Sequence, residues 1–188
     1  VWIVRKIEGE LFSDFKPKTN ELMLDLGEKV GKLDLFSKHF PKDLRIKDNK
    51  WNLTKPFWIE NHFSEIRDSK IKNVLNETLI DFKNIAGKLQ KLKSYWMHND
   101  LNDQNLLVKH NLANLPEISG ILDFGDLSFC PRICNIAICS SYLMILPDVG
   151  LEKQLQFLKG YHHVNPITKS ELDILYTLIM VRVAVSYV

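Results

Sequence analysis

The texture of this chain changes twice along its length, and that change restricts its fold more than any other feature. Leu22, Leu26, Val30, Leu33, Phe36 and Phe40 recur at steps of three and four, the spacing that lines one side of an α-helix. Asn20 is the expected cap of that helix and Pro41 its stop. A second helix is expected from Phe57 or Asp68 to Leu92, in one piece or two. Ile71, Val74, Leu75, Phe82, Ile85, Leu89 and Leu92 mark its buried side. Residues 41–57, polar and broken by Pro41 and Pro56, read as a long connection. Then the helical period stops. Tyr95-Trp96-Met97 leads into His98-Asn99-Asp100, and Asn105 to Val108 reads as a strand. Leu115 to Glu117 reads as a turn and Ile118 to Asp123 as the antiparallel partner. Helical texture returns at Arg132–Leu146 and Leu151–Lys159. It returns again from Thr168, where Thr168-Lys169-Ser170-Glu171 has capping-box spacing. At the start, Val1 to Lys6 reads as a short strand and Glu8-Gly9-Glu10 as a turn. The chain is therefore expected to be α+β, mostly helical, with one small β-hairpin at its centre.

Composition narrows the function classes. Of the 188 residues, 45% are hydrophobic and 26% charged, a globular balance that excludes disorder, collagen and coiled coil. A net charge of +2 argues against nucleic acid or an anionic membrane as partner. The longest apolar run, Leu172 to Val188, is interrupted by Asp173 and Arg182 and falls short of the roughly 20 apolar residues that a membrane span needs. It reads as a buried helix. Val1-Trp2-Ile3-Val4-Arg5 shows no signal peptide, and a cytoplasmic location is expected. Cys130, Cys134 and Cys139 neither suit a disulfide framework nor match zinc-ligand spacing, so they read as buried reduced thiols. The four tryptophans are scattered and read as core. No repeat or flexible linker is present. Both ends of the sequence read as cut, which suggests a piece of a longer protein.

The chemistry is concentrated in two segments, His98-Asn99-Asp100-Leu101-Asn102-Asp103-Gln104-Asn105 and Ile121-Leu122-Asp123-Phe124-Gly125-Asp126. Phosphoryl transfer needs a carboxylate to accept the proton of the attacking hydroxyl. It also needs hard oxygen donors for the Mg²⁺ that bridges the nucleotide phosphates. Asp100, Asn105 five residues on, and Asp123 supply one group for each task. H-x-D-x-x-x-x-N followed by D-F-G is the kinase arrangement. The first half alone arises by chance on the order of once per hundred chains of this length; the two together are far more specific. Singly, Asp100 could be a loop carboxylate and Asn105 a turn residue. His98 could be a base, or could hold the loop by bonding backbone near the metal-binding Asp. Asp126 could support the metal or cap its loop. Asp103 reads as a solvated residue or a contact for a substrate amine. Gly27-Glu28-Lys29-Val30-Gly31-Lys32 superficially resembles a phosphate loop. It has one residue too few between its glycines, and Leu33 follows where Ser or Thr is needed.

At these residues the chain resembles the aminoglycoside phosphotransferase / choline kinase family of small-molecule kinases. The loop is His-Asn-Asp rather than His-Arg-Asp. The next strand reads Ser119-Gly120-Ile121-Leu122-Asp123-Phe124-Gly125-Asp126, and an apolar helix follows from Ile133 in place of an activation loop. Val4-Arg5-Lys6-Ile7-Glu8-Gly9-Glu10-Leu11, Lys16-Pro17, Leu26-Gly27 and Gly31-Lys32-Leu33 make it most similar to the hydroxylysine kinase branch. That branch is also found fused to class III aminotransferases.

The resemblance implies a carboxyl-terminal lobe of a protein-kinase-like fold, its amino-terminal β-lobe absent and its carboxyl end truncated. Residues 1–8 would end the first lobe, 9–92 form a helical segment, 93–130 the catalytic loop and metal-binding hairpin, and 131–188 the last helices. It further implies Asp100 as catalytic base, His98 as organiser of the catalytic loop, and Asn105 and Asp123 as ligands of Mg²⁺ and, through it, of ATP or GTP. Asn135 stands where relatives commonly carry Asp or Glu, at a position that steadies the loop. The implied activity is phosphorylation of a hydroxyl on an amino-acid-like or amino-alcohol acceptor, with choline, aminoglycoside or sugar as alternative acceptors. The isolated lobe would be nearly inactive. A non-catalytic kinase-like binding module is the rival reading, separated from the first by whether Asp100, Asn105 and Asp123 converge.

Overall fold

A computed structural model describes residues 6–44 and 50–188; the strand expected at Val1 to Lys6 lies almost wholly outside them. Helix α1 spans Asn20–Ser37. Its cap is Thr19 rather than Asn20, because the Thr19 hydroxyl accepts from Leu22 N at 3.2 Å and satisfies a free amide of the first turn. The helix stops before Phe40. Leu22, Leu26 and Val30 are fully buried, but Phe36 is 61% exposed. A seven-residue 3-10 segment, Pro56–His62, precedes helix α2, Ser69–Gln90, so the expected two pieces are separate elements. Asp68 caps α2, accepting from Lys70 N at 2.7 Å. Leu75, Leu79, Phe82, Ile85 and Leu89 face the core, while Val74 is turned out.

The centre holds more strand than the sequence suggests. β1 (Glu10–Leu11), β3 (Leu106–His110) and β4 (Pro116–Ile121) form an antiparallel sheet in the order β1-β3-β4. β2 (Ser94–Met97) pairs antiparallel with β5 (Ser128–Pro131) in a second sheet. The β3–β4 turn lies at residues 111–115, where Asn111 Oδ1 accepts from Ala113 N and Leu115 N; Pro116 already belongs to the strand. The two pairings explain the site. Met97 opposes Ser128 and Leu106 opposes Ile121, so the segments 98–105 and 122–127 leave the same junction side by side.

Helices α3 (Arg132–Ile145), α4 (Leu151–Val164) and α5 (Lys169–Tyr187) complete the fold. The capping box at Thr168 and Glu171 is formed. α1 packs chiefly on α4, and α5 on α2 and α3. The α1–α4 approach is close because glycines face the opposite backbone. A Cβ on Gly27 would lie 2.0 Å from Phe157 O, and one on Gly160 2.0 Å from Leu24 O. Gly27 and Gly31 thus serve helix packing, not phosphate binding. The three cysteines are buried thiols; burial pushes the Cys139 thiol far up. Among the described residues no helix is long and apolar enough to cross a membrane.

Candidate active site

His98 bridges the two segments of the junction. Its Nδ1 accepts from Asp100 N at 3.2 Å and its Nε2 lies 2.8 Å from Leu122 O. A backbone N–H only donates and a carbonyl only accepts, so the ring is neutral with its proton on Nε2. Burial holds its pKa below the usual histidine range, against the Leu122 bond and the nearby Asp100, Asp123 and Asp126 charges. Phe124 stands edge-on to the ring, centroids 4.7 Å apart. His98 therefore ties the backbone of Asp100 to that of the residue before Asp123.

Asp100 is oriented from three sides. Asn102 Nδ2 and Asn105 Nδ2 each donate to its Oδ2 at 2.9 Å. Arg182 Nη2 donates to Oδ1 at 3.1 Å. Asn105 Nδ2 also donates to the Asp100 carbonyl at 2.9 Å, which spends both amide protons and turns Oδ1 away. Asn105 O in turn accepts from Leu122 N at 2.8 Å, placing Asn105 next to the Asp123 turn. Asp123 sits in the left-handed region at φ 59° and is exposed, with Oδ1 accepting from Gly125 N at 3.1 Å.

The amide oxygen of Asn105 and the carboxylate of Asp123 are hard donors of the type Mg²⁺ takes. No described residue donates to Asn105 Oδ1, so the pair fits a divalent cation that draws its other ligands from phosphate and water. No group of three His, Cys, Asp or Glu side chains suited to a metal occurs among the described residues. Asp126 is half-buried nearby. Its pKa is raised by burial and by repulsion from Asp100 and Asp123, so the three carboxylates share one electrostatic field. Asp103 stands apart: it is half-exposed, and its carbonyl accepts from Ser13 N at 3.1 Å.

Behind the loop lies a buried polar chain. Asn99 is in the left-handed region at φ 67°, which Asn tolerates better than most residues. Its N–H donates to Asn135 Oδ1 at 3.0 Å. Asn135 Nδ2 donates to Asp34 Oδ1 at 2.7 Å, and the Tyr161 hydroxyl donates to Asp34 Oδ2 at 2.7 Å. Asn165 Nδ2 donates to Tyr161 Oη at 3.1 Å. Arg132 closes the chain, donating to Asn165 and, through Nε and Nη2, to Glu171. Burial pushes Asp34 up to about 7, against the Tyr161 and Asn135 bonds. Burial and the Asp34 charge push Tyr161 up as well.

Sequence reasoning did not find Asp34 or Arg182. Asp34 sits inside an amphipathic helix and reads there as a surface charge. Arg182 had one signal: a charge deep within an apolar run, which must find a partner once buried.

A mostly helical lobe that sets a His-x-Asp loop beside an Asp-Phe-Gly turn is the architecture of a kinase-type carboxyl-terminal lobe. Solved structures agree on the fold. An amicoumacin kinase superposes with a TM-score of 0.62 at 22% identity, over 90% of this chain and 51% of that one. A microcompartment-associated aminopropanol kinase superposes with a TM-score of 0.66 at 20% identity, over 87% and 52%. The chain belongs to the phosphotransferase enzyme family, whose profile matches residues 3–167. A hydroxylysine kinase of Xenopus laevis is 26% identical over 181 residues, which is 90% of this chain and 48% of that protein. The chain thus spans about half the length of the curated relatives it matches.

Proposed function

We propose that this chain carries the acceptor-side chemistry of a small-molecule kinase. The protein transfers the γ-phosphoryl of ATP or GTP to a hydroxyl of a hydroxylysine-like acceptor. The observation that supports this most is the state of Asp100. Two amides and one guanidinium orient its carboxylate, while Asn105 Oδ1 and Asp123 stay open beside it.

In the reaction the acceptor oxygen bonds to the γ-phosphorus as the bond to the nucleoside diphosphate breaks. Asp100 receives the hydroxyl proton. The phosphoryl transition state is loose, so the protein contributes positioning and charge stabilisation. Asn102, Asn105 and Arg182 hold the Asp100 carboxylate in one orientation. His98 fixes the loop to the Asp123 turn. Asn105 and Asp123 would hold Mg²⁺, which when bound neutralises charge on the β- and γ-phosphates. The rival reading is a non-catalytic binding module, and an amide at position 135 in place of the acid that relatives commonly carry would favour it. Asn135 nevertheless bonds Asn99 N from a buried site, so the loop keeps its anchor.

The test uses the intact protein. Asp100→Asn should lower turnover by at least about a hundredfold and leave nucleotide affinity within about twofold. Asp123→Ala should weaken Mg-nucleotide binding itself. Normal turnover in Asp100→Asn would end the assignment of the base.

A further inference from the structure

The buried polar chain behind the loop has a direction. From one end Arg132 donates to Asn165, Asn165 Nδ2 donates to Tyr161 Oη, and the Tyr161 hydroxyl donates to Asp34 Oδ2. From the other end Asn99 N donates to Asn135 Oδ1, and Asn135 Nδ2 donates to Asp34 Oδ1. Both runs of donors end on Asp34, whose ionised carboxylate only accepts. An amide such as Asn135 can present either end to Asn99, and its partners decide which. A carboxylate at 34 takes Nδ2 and leaves Oδ1 for the Asn99 N–H. An amide at 34 would do the reverse: its oxygen would accept from Tyr161 and its NH2 would face position 135. Asn135 would then turn its own NH2 toward the Asn99 N–H, donor against donor. Asn99 stands directly before Asp100 in the left-handed region, at φ 67°. Its side chain has no hydrogen-bond partner among the described residues, so its N–H carries the polar tie to the helices.

We propose that Asp34 is a positioning residue for phosphoryl transfer: through the direction it imposes on the Asn135 amide, it fixes the backbone immediately before Asp100. This rests on the reading that Asp100 takes the acceptor's proton. Asn102, Asn105 and Arg182 set how the Asp100 carboxylate is turned. The Asn99 anchor sets where the backbone that carries it stands. A reacting group misplaced by about 1 Å loses on the order of a hundredfold in rate, so an anchor behind the loop reaches the chemistry without touching it. Charge alone does not account for the arrangement. A carboxylate at 135 with an amide at 34 has the same net charge and nearly the same volume, and it completes the chain equally well. Tyr161 would donate to the amide oxygen at 34, the NH2 of that amide would donate to one oxygen at 135, and Asn99 N would donate to the other. What the chain requires is one acceptor-only group at 34 or at 135. Two amides leave donor facing donor, and two carboxylates repel.

The experiment compares wild type, Asp34→Asn, Asn135→Asp and the double exchange Asp34→Asn/Asn135→Asp. It uses the intact protein with ATP, Mg²⁺ and 5-hydroxylysine, well above the value of about 7 at which Asp34 ionises. Asp34→Asn should lower kcat at least about tenfold and change the nucleotide KM less than about twofold. Hydrogen exchange at the Asn99 amide should quicken at least about tenfold in that variant. Asn135→Asp, with two carboxylates face to face, should also be slow. The double exchange should bring kcat and Asn99 exchange back to within about threefold of wild type, because the two sites are coupled. A purely structural role for Asp34 would shift the melting temperature and leave kcat per folded molecule unchanged, which would overturn the proposal. So would a double exchange as slow as the slower single variant. If Asp34→Asn does not fold, the double exchange decides alone, since the proposal requires it to fold and turn over. If the wild type phosphorylates nothing, the kinase reading fails and this one with it; failure of this one alone shows only in the variants.

Discussion

Asn135 holds the buried carboxylate of Asp34 with one end of its amide and the backbone of Asn99 with the other, at 2.7 and 3.0 Å. The amide faces two ways because its neighbours do: Asn99 N–H needs an acceptor and Asp34 needs donors. An acid at position 135 would accept from Asn99 equally well. It would also set a second carboxylate against Asp34, where like charges without water repel. The amide at 135 and the acid at 34 therefore belong together.

Two substitutions test that pairing. Asn135→Ala leaves the Asn99 N–H and one Asp34 oxygen without partners and should cost about 2–5 kcal/mol in stability. Asp34 carries a pH signature as well. Its pKa is raised to about 7 in the fold, against about 3.9 when unfolded. Between these values the unfolded chain gives up the proton first, so stability falls as pH rises from about 4 to 7 and is level above that. In Asp34→Asn this slope should flatten, as read from melting temperature against pH.

His98 has the opposite sign. Burial lowers its pKa, so its contribution is present above the usual histidine range and is lost as pH falls through the depressed value. Protonation of Nδ1 would remove the acceptor that holds Asp100 N. The His98 ring should titrate below 6.5 in an NMR titration, and His98→Ala should slow turnover while destabilising the fold by about 1–3 kcal/mol.

Three glycines should behave differently. Gly27→Ala and Gly160→Ala each drive a methyl into the backbone of the partner helix, and each should cost about 3 kcal/mol or more. Gly87 lies inside α2, and a methyl added there would meet nothing within 4 Å. Gly87→Ala should stabilise the chain by about 1 kcal/mol. Chemical denaturation of the three variants checks the order.

Glu171 joins the start of α5 to α3. Burial raises its pKa, but the hydrogen bond from Arg132, then those from Thr168, outweigh this and leave it lowered. The pair therefore stabilises above pH about 4.5 and weakens as pH falls through the depressed value. Glu171→Gln should cost about 2–3 kcal/mol near neutral pH, where an ion pair and part of a capping box are lost. The difference from wild type should shrink on acidification, measured as urea midpoints at several pH values.

Local sequence determined the helices, the β3–β4 hairpin and the candidate loop, because each rests on short-range chemistry. Apolar residues three and four apart define a helix side, Thr168 and Glu171 meet within one turn, and Asp100 and Asn105 share one loop. Only the tertiary structure decided what surrounds that loop. β5 was not legible, since four residues ending in Pro131 become a strand only when β2 is there to pair with them. Asp34 and Arg182 were not legible as site residues, because 101 positions separate Asp34 from Asn135 and 82 separate Arg182 from Asp100. A charge in an amphipathic or apolar helix shows that a partner is required once it is buried. Which partner it meets depends on how the helices pack, here on two glycines that let α1 and α4 touch backbone to backbone.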